Sequence, residues 1–228
     1  MSNTLISIEG NIGSGKSTLL NALKVKFSNN DNVIFLNEPV DEWNEIKDDQ
    51  NVTILEHFYQ DKKRYSFAFQ MLAYISRLKN LQTALETHSN KIIISERSLN
   101  SDKMIFAKML YDSGDLEPIM YKIYNEWVSS FSEIKPSKMI YLKTSSSICY
   151  LRIASRNRQG EDLIPIDYIE RCNEYHENMI KSVSGEVDVI TLNGNIDIFK
   201  LGSFNEWTKD ISDFVEDIYH ISDYIINV

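Results

Sequence analysis

Short runs of apolar residues recur along the chain and alternate with longer stretches of helical periodicity. The five apolar runs are Leu5–Ile8, Val33–Leu36, Ile92–Ile94, Met139–Leu142 and Val187–Leu192. Four of them are nearly continuous in apolar residues, which is typical of strands covered on both faces. Strands that alternate with helices form parallel sheets with right-handed crossovers. The pattern therefore predicts an α/β fold in three layers, with a five-stranded parallel sheet between helices.

The segment between the second and third runs is long, mostly helical and rich in aromatic residues. It covers about residues 54–87. Most of its aromatic side chains are expected in the core, although an insertion of this length can also form one wall of a substrate pocket. We further predict a loop at Asp48–Asn51, a turn at Asn193–Asn195 and a closing helix at Trp207–Ile226. No repeat or linker is visible, so a single domain over residues 1–228 is expected.

A glycine-rich segment follows the first apolar run and fits the phosphate-loop pattern G-x-x-x-x-G-K-[ST] at every position. Its residues are Gly10, Asn11, Ile12, Gly13, Ser14, Gly15, Lys16, Ser17 and Thr18. It lies between a predicted strand and a predicted helix, which is the setting that the motif requires. Glycines let backbone amides approach a phosphate chain, and the helix N-terminus adds partial positive charge. With Lys16 for the outer phosphates and Ser17 as a ligand, the motif predicts binding of a nucleoside triphosphate and Mg²⁺.

Charged residues also follow the second and third predicted strands. Glu38 comes after the second strand, and Glu96 and Arg97 come after the third. Because ligands bind beyond the carboxyl ends of parallel strands, we expect these side chains to meet beside the phosphate loop. There one carboxylate can act as a general base, a second can hold Mg²⁺ or its waters, and an arginine can bind developing phosphate charge.

Three arginines lie close together later in the chain. Arg152 and Arg156 share one helix face by their i,i+4 spacing, and Arg158 lies just before Gly160. A solvated basic surface would account for them. An arginine lid that closes over phosphates is the alternative that suits phosphoryl transfer. On that interpretation the lid covers about residues 152–165.

Composition narrows the possible functions. The chain has 228 residues, of which 43% are hydrophobic and 25% are charged, as in ordinary globular proteins. The net charge of −9 argues against non-specific binding to nucleic acid or membranes, and no apolar run is long enough for a membrane span. Cys149 and Cys172 show neither metal nor disulfide spacing, and Met1–Thr4 leads straight into the first strand. These features lead us to expect a cytoplasmic protein.

Taken together, the motifs resemble the deoxyribonucleoside kinase family, which includes deoxycytidine, deoxyguanosine and deoxyadenosine kinases. The resemblance extends from about Leu5 to His176. Beyond the phosphate loop it rests on Glu38-Pro39-Val40 with Trp43; Tyr59; Phe69-Gln70; Ser76-Arg77; Glu96-Arg97-Ser98 with Asp102 and Phe106; and the three arginines with Glu161 and Ile164-Pro165. The resemblance implies the P-loop nucleotide-kinase architecture, a deoxyribonucleoside substrate and a homodimer formed through long helices.

The resemblance also implies roles for the catalytic residues. Glu38 would be the general base at the 5′-hydroxyl of the nucleoside. Arg97 would steady the reacting oxygens, and Lys16 would bind the outer phosphates. Ser17 and Glu96 would hold Mg²⁺. The arginines near the lid would grip the phosphates of the donor, which is ATP or another nucleoside triphosphate.

The remaining matched residues would form the nucleoside pocket. Tyr59 and Glu161 would bind the sugar 3′-hydroxyl. Gln70 would pair with the base edge, since an amide offers both a donor and an acceptor. Trp43 and Phe106 would pack around the ring.

Three further residues, Ala73, Arg77 and Asp102, match positions where the family adjusts its base preference. An ionised Asp102 only accepts hydrogen bonds, so it suits the amino group of cytosine or adenine and opposes the carbonyl of thymine. Arg77 would also crowd the thymine 5-methyl group. The residues therefore favour dC, dA or dG over dT, without ranking the three.

Other functions stay open at this level. A nucleoside monophosphate kinase of the thymidylate kinase type shares the fold and phosphate loop, but its phosphorylated acceptor needs cations where this chain has Glu38 and Glu96. A catalytically silent nucleotide-binding regulatory subunit would keep the fold, yet every presumed catalytic position is filled. A nucleic-acid-binding ATPase is disfavoured by the net charge.

Overall fold

The structure is a computed structural model that describes residues 3–156, 158, 160–196 and 206–215. The strands are β1 (Thr4–Glu9), β2 (Val33–Leu36), β3 (Ile92–Glu96), β4 (Lys138–Lys143) and β5 (Asp188–Asn193). The helices are α1 (Lys16–Lys26), α2 (Val40–Asn44), α3 (Ile54–Gln60), α4 (Lys62–Thr87), α5 (Leu99–Ser101), a π-helix (Asp102–Ala107), α6 (Lys108–Asp112), α7 (Pro118–Ser129), α8 (Ser146–Arg156), a 3-10 turn (Glu161–Leu163) and α9 (Ile166–Val183). Residues 206–215 are also helical; the rest of the predicted closing helix lies outside the described residues.

The five strands form one parallel sheet in the order β2-β3-β1-β4-β5. This confirms the predicted α/β class and the five-stranded parallel sheet. The three central strands are buried almost throughout. β2 and β5 are the edge strands, and most of their residues are only half-buried or exposed. The continuous apolar sequence of β2 predicted a strand covered on both faces, but the structure covers this edge strand only partly.

Helices cover both faces of the sheet. On one face, Ile6 and Ile8 of β1 share a core with side chains of α1 and of the helix at 206–215. Those partners are Leu19, Leu20, Leu23, Trp207, Ile211 and Val215. On the other face, Leu5 and Ile93 pack with side chains of α4 and α7, namely Tyr74, Leu78, Leu81, Tyr124 and Val128. Because successive strand residues point to opposite faces, β1 contributes to both cores and the fold has three layers.

The helical region predicted at 54–87 is divided into α3 and α4. Thr53 caps α3: its side chain accepts a hydrogen bond from the backbone of Glu56, and the Glu56 carboxylate accepts one from the Thr53 amide in return. Asp61 leaves the helical conformation and its carboxylate accepts a hydrogen bond from the Arg64 amide, which begins α4. The break lets α3 pack against α4 and close one side of the candidate site.

All strands run in the same direction, so their carboxyl ends meet at one edge of the sheet. The phosphate loop follows β1 there, Glu38 follows β2 and Arg97 follows β3. Among the described residues, no helix combines the length and apolar character that crossing a bilayer requires.

Candidate active site

A cavity of about 660 Å³ opens at the carboxyl edge of the sheet. This volume is within the usual range for small-molecule sites. The sequence-predicted site residues that line it are Ile12, Gly13, Ser14, Gly15, Lys16, Ser17, Thr18, Glu38, Trp43, Tyr59, Gln70, Ala73, Glu96, Arg97, Asp102, Phe106, Arg152, Arg156, Arg158 and Glu161. Three predicted residues, Gly10, Asn11 and Arg77, are not part of the lining.

The phosphate loop forms one end of this cavity. Gly13 has a positive φ of 76°, and a Cβ there would collide with the carbonyl oxygen of Cys149 in α8, so only glycine fits. The Lys16 ammonium donates a hydrogen bond of 2.7 Å to the Asn11 carbonyl. Burial and the nearby Arg97 guanidinium lower the pKa of Lys16 to about 7. A bound phosphate would raise that pKa again and favour the charged amine.

Asn11 belongs to the loop, but its side chain serves the fold. Its amide nitrogen donates to the carbonyl of Ile169 in α9 at 2.8 Å, and its amide oxygen accepts from the Ile12 backbone. The phosphate loop is thereby tied to the helix that follows the predicted lid. Sequence reasoning placed Asn11 at the nucleotide and could not identify this contact.

Glu38 lies between two buried arginines. Its Oε1 accepts hydrogen bonds from Arg77 Nη2 at 2.9 Å and from Arg97 Nε at 3.1 Å. Burial by itself would raise the pKa of Glu38, but the two guanidinium groups outweigh it and lower the pKa to about 2. The carboxylate is therefore ionised over the whole physiological pH range.

Arg77 lies behind the cavity wall and connects three groups. Its Nε donates to Asp102 Oδ2 at 2.9 Å, its Nη1 to the Glu96 carbonyl at 2.7 Å and its Nη2 to Glu38. This placement corrects the expectation that Arg77 reaches the base and crowds a thymine methyl group. Arg77 can influence a ligand only through the carboxylates that it holds, whereas Asp102 itself lines the cavity.

Arg97 occupies a strained backbone position at the end of β3. Its φ is +65°, which is rare for a residue with a side chain. The Arg97 amide donates to the Ile8 carbonyl, and the Ser95 hydroxyl donates to the Arg97 carbonyl at 2.8 Å. A strained backbone conformation of this kind is kept only where several surrounding bonds hold it, and it is frequent at functional sites. Here it directs the guanidinium toward Glu38 and the phosphate loop.

Ser17 and Glu96 are the pair predicted to bind Mg²⁺. The Ser17 hydroxyl donates to Glu96 Oε1 at 2.7 Å, so a hydroxyl and a carboxylate oxygen lie side by side next to the phosphate loop. No cluster of three or more His, Cys, Asp or Glu among the described residues could hold a metal ion alone. The donor set suits Mg²⁺, which is usually held by one or two protein oxygens together with nucleotide phosphates and waters.

The other end of the cavity combines aromatic rings with a buried amide. Gln70 is almost fully buried, and the structure gives its Oε1 no hydrogen-bond partner among the described residues. An acceptor left in this state costs about 1–3 kcal/mol, which a ligand donor would recover. Trp43 donates from Nε1 to the Ser76 hydroxyl at 2.8 Å and packs edge-on against Phe69. These contacts hold the indole ring in place beside the amide.

The predicted lid arginines all bind protein groups in this structure. Arg156 donates to both carboxylate oxygens of Glu161 at 2.6 and 2.5 Å, and Arg158 donates to one of them at 3.2 Å. Arg152 donates from Nη1 to the carbonyls of Ser14 and Gly194, both at 2.9 Å. Arg152 thus connects the phosphate loop to the turn after β5, and Glu161 holds the other two arginines together.

Sequence analysis missed several residues of the site. The cavity is also lined by Leu55, Phe58, Leu142, Tyr168, Gly194, Asn195, Ile196 and Trp207, and by Val40 and Phe69, which the sequence motifs already contained. Leu55 lies four residues before Tyr59 in α3, so helical spacing could have pointed to it. His176, which is fully buried and contacts Arg97, carries no local sequence signal because that contact joins α9 to β3 across 79 residues.

Comparison with known proteins places these features in a family context. Residues 6–220 match the model of a family described as deoxynucleoside kinase. The chain is 37% identical over 221 residues to a probable deoxycytidine kinase of Fowlpox virus, covering 94% of this chain and 89% of that protein. It is 31% identical over 221 residues to deoxycytidine kinase of Rattus norvegicus, covering 84% of each. It is 29% identical over 184 residues to mitochondrial thymidine kinase 2 of Homo sapiens, covering 78% of this chain and 64% of that protein.

Proposed function

The chain belongs to the deoxynucleoside kinase family, and from this premise we propose that Glu38 is the general base with which it phosphorylates a nucleoside 5′-hydroxyl. The enzyme transfers a phosphoryl group from a nucleoside triphosphate to a deoxynucleoside. The family match and the kinases among its relatives favour this activity over a monophosphate kinase or a silent regulatory subunit. The observation that carries the proposal is the Glu38 carboxylate, held ionised by two guanidinium groups in the cavity that also contains the phosphate loop.

The hydrogen bonds of Glu38 suggest which of its two carboxylate oxygens accepts the proton. Oε1 accepts from both arginines, while no described residue donates to Oε2. Oε2 would take the proton of the 5′-hydroxyl while the 5′-oxygen forms its bond to the γ-phosphorus. The bond between the γ-phosphorus and the oxygen that joins it to the β-phosphate breaks at the same time. A carboxylate with a pKa near 2 is a weak base. That suits a loose transition state, in which little bonding to the nucleophile precedes bond breaking.

On the donor side, the backbone amides of the phosphate loop and the Lys16 ammonium would bind the phosphates. We propose ATP as the donor. Ser17 and Glu96 would hold Mg²⁺, which would neutralise negative charge on the donor phosphates. Arg156 and Arg158 would bind the transferring group after exchanging their contacts with Glu161.

On the acceptor side, the unpartnered Gln70 amide oxygen would receive a hydrogen bond from the base. Trp43 and Phe106 would enclose the ring, and Tyr59 and Glu161 would bind the 3′-hydroxyl. Burial, reinforced by Glu161, raises the pKa of Tyr59 far above its ordinary value, so its hydroxyl remains a donor. Ala73 lines the same wall and leaves room for the base.

We further propose that the enzyme prefers dC, dA or dG to dT. The support is Asp102, which lines the cavity: burial raises the pKa of Asp102, and the ion pair with Arg77 opposes this shift and favours the carboxylate. A carboxylate accepts from an exocyclic amino group and repels the thymine carbonyl. Both deoxycytidine and thymidine kinases occur among the relatives, so the preference rests on this residue.

The test is parallel phosphate transfer from ATP–Mg²⁺ to dC, dA, dG and dT. We expect turnover with dC or a purine nucleoside and little with dT. Turnover mainly with dT would overturn the proposed preference while leaving the enzyme class intact. Turnover with dCMP or dTMP in place of nucleosides would overturn the proposed acceptor chemistry.

We also propose that the enzyme is a homodimer. Ile119, Ile123 and Trp127 lie at i, i+4 and i+8 on α7, and each is 45–62% exposed. Such an apolar stripe is typical of a surface that a second copy covers. Light scattering coupled to size-exclusion chromatography should give twice the chain mass, and Ile123→Glu should reduce it to one chain. A wild-type monomer at micromolar concentration would contradict the proposal.

A further inference from the structure

Arg97 carries five N–H groups, and their partners can be followed individually. Its Nε donates to Glu38. Its Nη1 donates one hydrogen to the Gly10 carbonyl at 2.9 Å and lies 3.1 Å from His176 Nε2. No described residue accepts from Nη2. Since Arg97 lines the cavity, Nη2 is the nitrogen available to a transferring phosphoryl group.

The protonation of His176 follows from its other neighbour. Its Nδ1 lies 2.6 Å from the Cys172 carbonyl, which can only accept, so Nδ1 carries the ring proton. Nε2 is then an acceptor, and it faces an Arg97 nitrogen that can only donate. Burial, and then the Arg97 guanidinium, lower the pKa of His176 well below its ordinary value, so the ring stays neutral.

Packing holds the same pair in a fixed orientation. The Arg97 guanidinium lies over the Phe106 ring, 4.8 Å from its centroid, and the Phe106 ring meets the His176 ring edge-on at 6.2 Å. His176 and Arg97 are both almost fully buried. The guanidinium is therefore fixed by two acceptors on Nη1, one acceptor on Nε and an aromatic face.

We propose that His176 is a positioning residue for Arg97: as a neutral acceptor from α9, it orients the guanidinium so that Nη2 meets the phosphoryl group while Nε holds Glu38. This inference rests on the proposed function and on the role that the family resemblance implies for Arg97, which is to steady the reacting oxygens. A carboxylate at this position would compete with Glu38 for the guanidinium, and an apolar residue would leave one Nη1 hydrogen without an acceptor. A neutral imidazole avoids both outcomes, and His176 is not part of the cavity lining.

The experiment compares His176→Phe, which keeps a planar ring but has no acceptor, with His176→Gln, whose amide oxygen can reach the Nε2 position. We expect His176→Phe to lower kcat by about tenfold to a hundredfold, as small misplacements of catalytic groups do, with the nucleoside KM within about threefold. His176→Gln should recover most of that loss. Met179→Ala, a cavity-forming change at another buried α9 position, should lower Tm without lowering kcat.

A double-mutant comparison separates positioning from general structure. In an Arg97→Lys background, His176→Phe should have almost no further effect on kcat, because the group that it orients is gone. Full additivity of the two substitutions, equal kcat losses in the Phe and Met179→Ala variants, or unchanged kcat in His176→Phe would each overturn the proposal. Absence of wild-type activity on every nucleoside would instead overturn the proposed function.

If His176→Phe fails to fold, His176→Gln and His176→Asn decide the question. The shorter Asn side chain reaches the Nδ1 position and cannot accept from Arg97. We expect Gln to retain turnover and Asn to lose it at similar Tm. Equal turnover of the two variants would overturn the proposal.

Discussion

The two sides of the cavity hold their charged groups differently. On the acceptor side, Glu38, Arg77, Arg97 and Asp102 form one network, and the side chains of the two arginines are only 2–4% exposed. On the lid side, the side chains of Arg156 and Arg158 are 32% and 36% exposed and pair with Glu161, which is near in sequence.

This difference separates a fixed region from an exchangeable one. Breaking a buried ion pair strands an uncompensated charge, so the acceptor network holds its geometry before a substrate arrives. The lid arginines are partly exposed, so water can solvate them when they leave Glu161, whereas the Glu161 side chain is only 5% exposed and then needs another donor. The lid arginines can therefore move from Glu161 to phosphate oxygens when a substrate hydroxyl takes their place at Glu161.

The largest expected effect is on catalysis at the centre of the fixed network. Glu38→Gln removes the proposed base and should lower kcat by about a hundredfold to ten-thousandfold, while nucleoside Kd changes only a few-fold. Steady-state kinetics and calorimetric binding measure the two quantities. Glu42→Gln, at an exposed carboxylate of α2, is the matched control and should behave as wild type. Turnover of Glu38→Gln near the wild-type rate would show that another group is the base.

Arg77→Met should have the largest effect on stability. It leaves Asp102 buried without its cation and should lower the free energy of unfolding by about 3–5 kcal/mol. Denaturant unfolding measures this change, with Lys79→Met on the exposed face of α4 as the control. If both variants are equally stable, the network does not have the rigidity inferred here.

The same substitution should change the pH dependence. The folded-state pKa of Glu38 lies below its ordinary value of 4.5, so its contribution to stability is present above about pH 4.5 and is lost as pH falls toward 2. Wild-type kcat/KM should therefore show no acid limb from Glu38 between pH 5 and 8. Arg77→Met removes one of the two cations and should raise this pKa, bringing an acid limb into the range accessible to assay. Identical pH profiles would exclude Arg77 as a cause of the low pKa.

Asp102→Asn should alter base preference more modestly. An amide can donate to a thymine carbonyl, so the ratio of kcat/KM for dT to that for dC should rise by about tenfold, as expected for one hydrogen bond of about 1.4 kcal/mol. Competition assays with both nucleosides measure the ratio. An unchanged ratio would mean that Asp102 does not contact the base.

The smallest effect on stability is expected at the lid. Arg156→Ala should lower the free energy of unfolding by only about 1 kcal/mol, because the Arg156 side chain is partly exposed and Arg158 still pairs with the buried Glu161, yet it should raise the KM for ATP or lower kcat. Lys108→Ala, which removes another partly exposed ion pair, should be similarly mild for stability and leave kinetics unchanged. A large loss of stability in Arg156→Ala would place the lid with the fixed region and remove the contrast between the two sides.

The sequence by itself determined the sheet, the phosphate loop and the family, because each is written in local patterns. Strand and helix periods depend on neighbouring residues, and the loop motif needs only nine consecutive positions. The break at Asp61 between α3 and α4 was not foreseen, since its capping contacts resemble those of many polar residues within a helical pattern.

Only the tertiary structure decided which side chains the buried charged groups pair with. Arg77 meets Glu38 across 39 residues, Arg97 meets Glu38 across 59, and His176 meets Arg97 across 79. Residue type predicts that a buried charge needs a partner, but the choice among many acids and acceptors depends on which strand ends and helices pack together. For that reason the sequence placed Arg77 on the cavity wall and overlooked His176, while packing put both behind the groups that face the substrate.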